Sequence, residues 1–353
     1  MAEKTIAITG ANGLVGSRVA RQAVEAGYKV RALVRPRGDR TLLEGLDIEY
    51  AEGELSQPES LVPALTDADV VVHTAAHIGD WGPADKYRAI NVIALEHLLN
   101  AVERSGRLDR WIQISTLGVY AARDHYGTDE TVPPNVEGLD GYTRTKAEAE
   151  ILIQHHIRER GLRAAILRPG FIYGAGERHS IPRVLEKFAE GKMKFIGKGD
   201  KVLNNIYVGN LADATLLAIE KDEALGETFN IRDERLVTRE EYINTIADYL
   251  GKPHPSHVPE WVAQLAVGPI EWLAKARGAT EAPLLTGARI KFMTLNLDFS
   301  IAKAKRLLGY QPRLDFREGI VEALDYATRN EREAQGLAAF ARDARQRVAS
   351  ERG

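Results

Sequence analysis

The sequence predicts an α/β fold, with a doubly wound parallel sheet followed by a smaller mixed α/β domain. Three observations carry that expectation. The chain opens with the apolar run Thr5-Ile6-Ala7-Ile8-Thr9, then glycines at 10, 13 and 16, then a segment in which Val15, Val19, Ala23 and Ala26 recur every three or four positions. That pattern reads as buried strand, tight turn and helix, closed by Gly27. Further short runs, Asp69–His73 above all, are apolar throughout, as strands are when helices cover both faces of a sheet. Stretches with helical periodicity alternate with these runs as far as about Glu177, where the alternation loosens.

The glycine turn is the first candidate site. Glycines permit unusual dihedrals and close approach of a phosphate, and the helix that follows offers free N–H groups and a positive dipole end. The same glycines also suit a plain strand-to-helix turn. The second strand, Tyr28 to Val34, ends at Arg35-Pro36-Arg37-Gly38-Asp39-Arg40. In a dinucleotide fold this tip meets the adenosine ribose, where an acidic residue binds the 2′-hydroxyl and an arginine accommodates a 2′-phosphate. Arg35 stands there with no carboxylate beside it, and Arg37 and Arg40 follow. NADP(H) is therefore favoured, with NAD(H) as the other possibility.

Ile48 to Tyr50 and the loop Gly53-Glu54-Leu55 read as a third strand and its exit. The fourth strand ends in Thr74-Ala75-Ala76, small residues past which a cofactor can run. His77, Asp80 and Trp81 follow at the strand's C-terminal end, the side on which open α/β sheets bind ligands. His77 and Trp81 are candidate substrate contacts. A helix over Asp85 to Ser105 carries Asn91 on its apolar stripe, so Asn91 needs a partner: a neighbouring carbonyl, or an active-site water or lysine.

The fifth strand, Trp111 to Ile114, runs into Ser115-Thr116, hydroxyls well placed to hold a carbonyl or alcohol. Tyr142 and Lys146 then open a helix, and their spacing of four puts phenol and ammonium on one face. A sixth strand, Ala164 to Leu167, leads into Arg168-Pro169-Gly170 and Ile172. Residues 1–176 are expected to form the dinucleotide-binding domain, with 203–222 returning to it. Residues 177–202 and 223–330 are expected to form the substrate domain, and 331–353 a charged helical tail. Tyr207 is a further candidate substrate contact, and Asn210 reads as a helix N-cap. Val258 to Leu273, with Trp261 and Trp272, reads as a cap over an apolar pocket or as a surface-association element.

The chain's 353 residues, 44% hydrophobic and 27% charged, provide ample core for one large or two modest domains. A net charge of −3 gives no electrostatic basis for binding nucleic acid. The absence of cysteine excludes disulfides and thiolate metal sites and fits a reducing compartment. No metal site is expected. No signal peptide is expected, since the first strand begins at Thr5, and no apolar run approaches the ~20 residues needed to span a bilayer. A cytoplasmic homodimer acting on a small molecule is expected, with peripheral membrane association left open.

Several of these pieces together resemble the extended short-chain dehydrogenase/reductase family, over roughly Thr5 to Leu324. They are Thr9-Gly10-Ala11-Asn12-Gly13-Leu14-Val15-Gly16, Asn91-Val92, Ser115-Thr116 with Val119-Tyr120, Tyr142-Thr143-Arg144-Thr145-Lys146, Arg168-Pro169-Gly170 and Leu308-Gly309-Tyr310-Gln311-Pro312. The resemblance implies a Rossmann-type domain with Tyr142 as acid/base, Lys146 holding the nicotinamide ribose, Thr116 binding the substrate oxygen and Asn91 as the supporting fourth member. It implies cofactor contacts from Gly10, Asn12, Gly13, Leu14, Val15, Gly16, Arg35, Glu54, Leu55, Thr74, Ala75, Ala76, Ile114, Ser115, Pro169, Gly170 and Ile172, besides Tyr142 and Lys146.

Within the family, Tyr207-Val208-Gly209-Asn210 looks like the 3β-hydroxysteroid dehydrogenase branch, and Val30 to Arg35 like the dihydroflavonol reductases. The nucleotide-sugar branch usually carries an acidic residue where Asn210 stands, and an arginine just upstream, which Leu203-Asn204-Asn205 lacks. Glu54 replaces the usual aspartate near the adenine, and Thr116 the commoner serine. The expected function is hydride transfer to or from a hydrophobic alcohol or ketone. The alternatives are a nucleotide-sugar epimerase or dehydratase, and a cofactor-binding sensor without turnover.

Overall fold

The computed structural model describes residues 4–79, 81–277 and 286–329. Strand β1 (Thr5–Thr9) leads through the glycine turn into helix α1 (Leu14–Glu25), and β2 (Lys29–Val34) and β3 (Glu49–Glu52) follow. Next come β4 (Val70–His73), helix α2 (Ala94–Ser105), β5 (Arg110–Ile114), helix α3 (Gly141–Arg160) and β6 (Ala164–Pro169). Later elements are α4 (Val208–Glu220), β7 (Thr228–Ile231), α5 (Glu260–Ala276), α6 (Gly287–Thr294) and α7 (Ala302–Leu308).

The seven strands form one parallel sheet in the order β7-β6-β5-β4-β1-β2-β3. Strand order reverses between β1 and β4, which opens a crevice at their C-terminal ends. Side chains alternate between the two faces with the two-residue period of a strand. Ile6, Ile8, Val70, Val72, Ile112 and Leu167 pack under α1, α4 and α7. Ala7, Leu33, Val71, Trp111 and Ile166 pack on the other face, under α2 and α3. Both faces are thus buried, which is why β4 is apolar up to its last residue, His73.

The chain's return to the sheet runs further than residues 203–222. Thr228–Ile231 pairs with β6 as the seventh strand, and Ile301, Ala304, Leu308 and Tyr310 join the first core. A separate cluster built on Tyr173, Leu185, Phe188, Tyr242 and Phe316 forms the core of the smaller part. The two parts are riveted at Asp233, 2% exposed, just beyond β7. Its carboxylate accepts from Tyr173 Oη (2.9 Å), Asn205 Nδ2 (2.9 Å), Asn210 Nδ2 (2.8 Å) and Tyr207 N (3.0 Å). Asn210 is accordingly not an N-cap. It lies inside α4, donates also to Leu314 O (2.9 Å), and accepts from Arg313 N and Leu314 N.

The expected continuous helix over 85–105 is present but contains one wide π turn, Ala89–Ile93, with Asn91 in it. No helix among the described residues is long and apolar enough to cross a membrane. No group of three or more metal-ligating side chains occurs among them. The expected tail, 331–353, lies outside the described residues, as does Asp80.

Candidate active site

The glycine turn has the shape its sequence calls for. Gly10 is left-handed (φ +66°), and a Cβ on it would stand 3.0 Å from the Ala75 backbone, so β1 and the segment after β4 approach each other closely. A Cβ at Gly16 would stand 2.4 Å from Gly10 O, so α1 can start this near the turn only with glycine there. Gly13 precedes the first helical residue, Leu14, and no side chain caps the N–H groups of that first turn. Those groups and the dipole behind them make an anion cradle. Thr74 Oγ1 donates to Thr9 O (2.6 Å) and holds the small segment Thr74–Ala76 along one side.

At the tip of β2, Gly38 N donates to Arg35 O (2.8 Å) to close a tight turn, and Arg37 occupies the left-handed region (φ +59°). Asn12 Nδ2 donates to Asp39 O (2.8 Å), tying this loop to the glycine turn. Arg40 is committed to Glu52 (2.5 Å) and lies over the Tyr50 ring. Arg35 is exposed and has no salt bridge among the described residues, so its guanidinium is available to an incoming anion. Glu54, in the loop after β3, accepts from Ser56 Oγ (3.0 Å), and Leu55 packs on the second core.

The reactive groups collect where β5 ends and α3 begins. Asp140 caps α3 by accepting from Thr143 N (2.8 Å), and this places Tyr142 in the first turn and Lys146 one turn deeper. Burial and the nearby Asp140 charge push the Tyr142 phenol up to about 12, with the Thr116 hydroxyl opposing that rise. Thr116 Oγ1 itself accepts from Gly118 N (3.0 Å). Lys146, 4% exposed, donates to Ile114 O at 2.6 Å. Burial pulls it down to about 8, and the carboxylate of Glu150 pulls it back up. His73, at the end of β4, bonds Thr9 Oγ1 (2.8 Å) and is held neutral by burial, its pKa down to about 3.

Asn91 takes the first of the two roles open to it. Its Oδ1 accepts from His77 N (2.8 Å), and its Nδ2 donates to His77 O (3.0 Å) and Thr145 Oγ1 (3.0 Å). It thus steadies the loop beyond β4 and contacts neither Tyr142 nor Lys146 by hydrogen bond. In the same loop the His77 ring lies 4.5 Å from that of Tyr87, whose hydroxyl donates to Trp81 O (2.8 Å). His77 and Trp81 are partly exposed and lie at the sheet's ligand-binding end.

Pro169 ends β6. Gly170 follows with no room for a side chain, since a Cβ would fall 1.7 Å from Asn204 O. Ile172 packs between two of the cores.

Tyr207, expected against substrate, is a packing residue: its ring lies 5.9 Å from that of Tyr173, and its hydroxyl accepts from Arg18 Nη2 (3.0 Å) and donates to Glu322. Buried neighbours and the Arg18–Glu322 ion pair (2.7 Å) hold it against α1, with no hydrogen bond to Thr116, Tyr142 or Lys146. Trp261 and Trp272 on α5 are 65% and 71% exposed, so they do not roof an enclosed pocket here and fit the surface-element alternative. Reading the sequence missed Glu150 and Tyr87. Glu150 was findable, because it falls on the buried stripe of α3 with Lys146, Ala149 and Ile153, where a charge needs a partner.

The sequence and the fold both have counterparts among known proteins. The chain is 29% identical over 326 residues to the 2-alkyl-3-oxoalkanoate reductase of Shewanella oneidensis, covering 89% of this chain and 84% of that one. It is 28% identical to the 3-beta-hydroxysteroid dehydrogenase of Mycolicibacterium neoaurum, over 92% and 91% of the two chains. The crystal structure of the UDP-glucuronic acid 4-epimerase from Bacillus cereus in complex with NAD shares the fold. Its TM-score is 0.74 at 23% identity, covering 92% of this chain and 99% of that one. The model of the NAD dependent epimerase/dehydratase family matches residues 6–231, the span holding the glycine turn, Thr116, Tyr142 and Lys146, and the chain belongs to that family.

Proposed function

We propose that the protein is an NADP(H)-dependent oxidoreductase that reduces a ketone, or oxidises an alcohol, on a hydrophobic substrate. The observation that carries this is the convergence of Thr116, Tyr142 and Lys146 at the end of β5, beside the anion cradle of α1. A dinucleotide fits these residues: the cradle takes a pyrophosphate, Thr74 to Ala76 leave room along it, and Arg35 stands free at the ribose end. The bound nicotinamide supplies or accepts the hydride. Tyr142 gives its proton to the substrate oxygen in reduction and takes one in oxidation. Thr116 donates a hydrogen bond to the same oxygen. Lys146 binds the ribose, and its positive charge favours the phenolate. Intact acid/base chemistry argues against a sensor without turnover.

The two relatives named above act, by their names, on oxo or hydroxyl carbons of apolar molecules, which supports the same class here. The epimerase alternative draws on shared fold, which does not decide function. Screening NADPH oxidation and NADP⁺ reduction against 2-alkyl-3-oxoalkanoates, ketosteroids, hydroxysteroids and UDP-sugars tests the reading. Affinity is expected to rise with the apolar surface of the ketone. Tight UDP-sugar binding by calorimetry, with no response to apolar ketones, would transfer the case to the epimerase.

Cofactor choice provides a second test. A guanidinium offers forked donors to a phosphate, and hydrogen bonds to charged groups are worth about 1.5–3 kcal/mol. At about 1.4 kcal/mol per decade, wild-type protein is expected to prefer NADPH over NADH roughly 10- to 100-fold in kcat/KM. Arg35→Asp should abolish or invert that preference, because it repels the 2′-phosphate and accepts from the ribose diol. An unchanged ratio in Arg35→Asp sinks this assignment.

A further inference from the structure

Two buried charges lie behind the catalytic lysine with no part in the mechanism above. Glu150, one turn beyond Lys146 on α3, is 2% exposed, and Arg168, from β6, is 3% exposed. Arg168 Nε lies 3.0 Å from both carboxylate oxygens, and its Nη2 is 2.6 Å from Oε2. The carboxylate also accepts from Ser115 Oγ. Ser115 is the residue after Ile114, whose carbonyl receives the Lys146 ammonium. Helix α3 therefore grips the end of β5 at two successive residues, with a cation at the first and an anion at the second.

Among the described residues, Glu150 is the anion whose charge acts on Lys146. Its other titratable neighbours are His73 on β4, neutral through burial, and Tyr142 on its own helix, protonated at neutral pH. Arg168 is a cation already bound to Glu150. An ammonium this buried favours the neutral amine unless an anion stands near it.

We propose that Glu150 is a positioning residue of the catalytic centre, whose carboxylate keeps the Lys146 ammonium charged and, through Ser115, holds the strand end that presents Thr116. Its consequence for turnover rests on the reading of Lys146 given above, whereas the titration of Lys146 does not.

The test is to titrate Lys146 by NMR in full-length protein carrying ¹³C-lysine, with its Cε resonance assigned by loss in Lys146→Arg. Glu150→Gln keeps the shape and an acceptor for Ser115 but removes the charge. A neighbouring opposite charge shifts a pKa by about 1–3 units, and Glu150 lies one helical turn from Lys146, so the Lys146 midpoint is expected to fall by about one unit. The high-pH limb of kcat/KM, where the ammonium is lost, should move down equally. Ser115→Ala removes the hydrogen bond and leaves both charges, so turnover should fall while the Lys146 midpoint stays in place. Because Glu150→Gln strands a buried guanidinium, Glu150→Gln/Arg168→Gln provides a variant without an unpaired charge; since it also removes a cation, a smaller shift in the same downward direction is expected. An unmoved midpoint in whichever of these folds overturns the proposal. A Ser115→Ala shift as large as that of Glu150→Gln also overturns it, since the effect would then be geometric. A shifted midpoint in Glu150→Gln, with a wild-type protein that turns over no ketone or alcohol, defeats the oxidoreductase reading instead.

Discussion

Tyr142→Phe is expected to lower kcat by about 10²–10⁴-fold, the range typical of a lost general acid–base group. The substitution deletes one hydroxyl from a side chain in the first turn of α3, whose cap, Asp140 to Thr143 N, it leaves untouched. The anion cradle and Arg35 are also unaltered, so NADPH affinity, measured by nucleotide fluorescence, should stay within about twofold. The pH dependence follows from the phenol's position. With its pKa pushed up to about 12 in the free protein, Tyr142 holds its proton throughout the neutral range. Ketone reduction, which needs the acid form, should therefore depend little on Tyr142 ionisation between pH 6 and 8. Alcohol oxidation needs the phenolate and should rise with pH until the phenol of the cofactor complex has titrated. Near wild-type turnover by Tyr142→Phe on a confirmed substrate would remove Tyr142 from the mechanism.

The largest expected loss of stability comes from Asn210→Asp. Asn210 donates to the buried carboxylate of Asp233 and to Leu314 O. Aspartate at 210 removes both donors and faces one carboxylate with another in a site that desolvation already makes unfavourable for charge. Breaking a buried charge interaction typically costs about 3–5 kcal/mol. For a domain of this size that corresponds to a fall in Tm on the order of 10 °C. The sign with pH is fixed by the direction of the shift. The new carboxyl would have a folded-state pKa raised above its unfolded value, so stability is lost as pH rises through the raised pKa and regained below the unfolded one. The deficit should therefore shrink as pH falls from 7 towards 4, as calorimetry would show. Asn210→Asp/Asp233→Asn restores one acid and one amide and should recover most of the loss. A deficit independent of pH and not rescued by the pair would mean that the packing of α4, rather than charge, governs the position.

This pair also bears on why the chain carries asparagine where nucleotide-sugar enzymes of the family usually carry an acid. With Asp233 already present, position 210 must donate, and an amide donates where a carboxylate cannot. The substitution therefore has a structural explanation here, and the weight for substrate class falls on the panel of ketones and UDP-sugars.

The features legible in the sequence were those whose physics is local. A glycine is demanded where the backbone turns left-handed or two segments touch, so Gly10 and Gly16 marked the cradle before any fold was known. Apolar runs marked β1 and β4 because both faces of a parallel sheet are buried, and a spacing of four put Tyr142 and Lys146 on one helical face. The exposed place of Arg35 was legible as well, since it directly follows a strand whose end has a fixed place in the fold. What the tertiary structure decided were the partners of residues far apart in the chain. Thr228–Ile231 is too short for its period to reveal which sheet it joins, and its pairing with β6 came from packing. The buried amide of Asn91 announced a need for partners but not that His77 would supply them. Nor does a helical pattern tell which face is covered, which is how Trp261 and Trp272 came to be exposed and Tyr207 enclosed. Glu150 and Arg168, eighteen residues apart, form an ion pair only because α3 lies across β6, and burying both at once is what makes each tolerable.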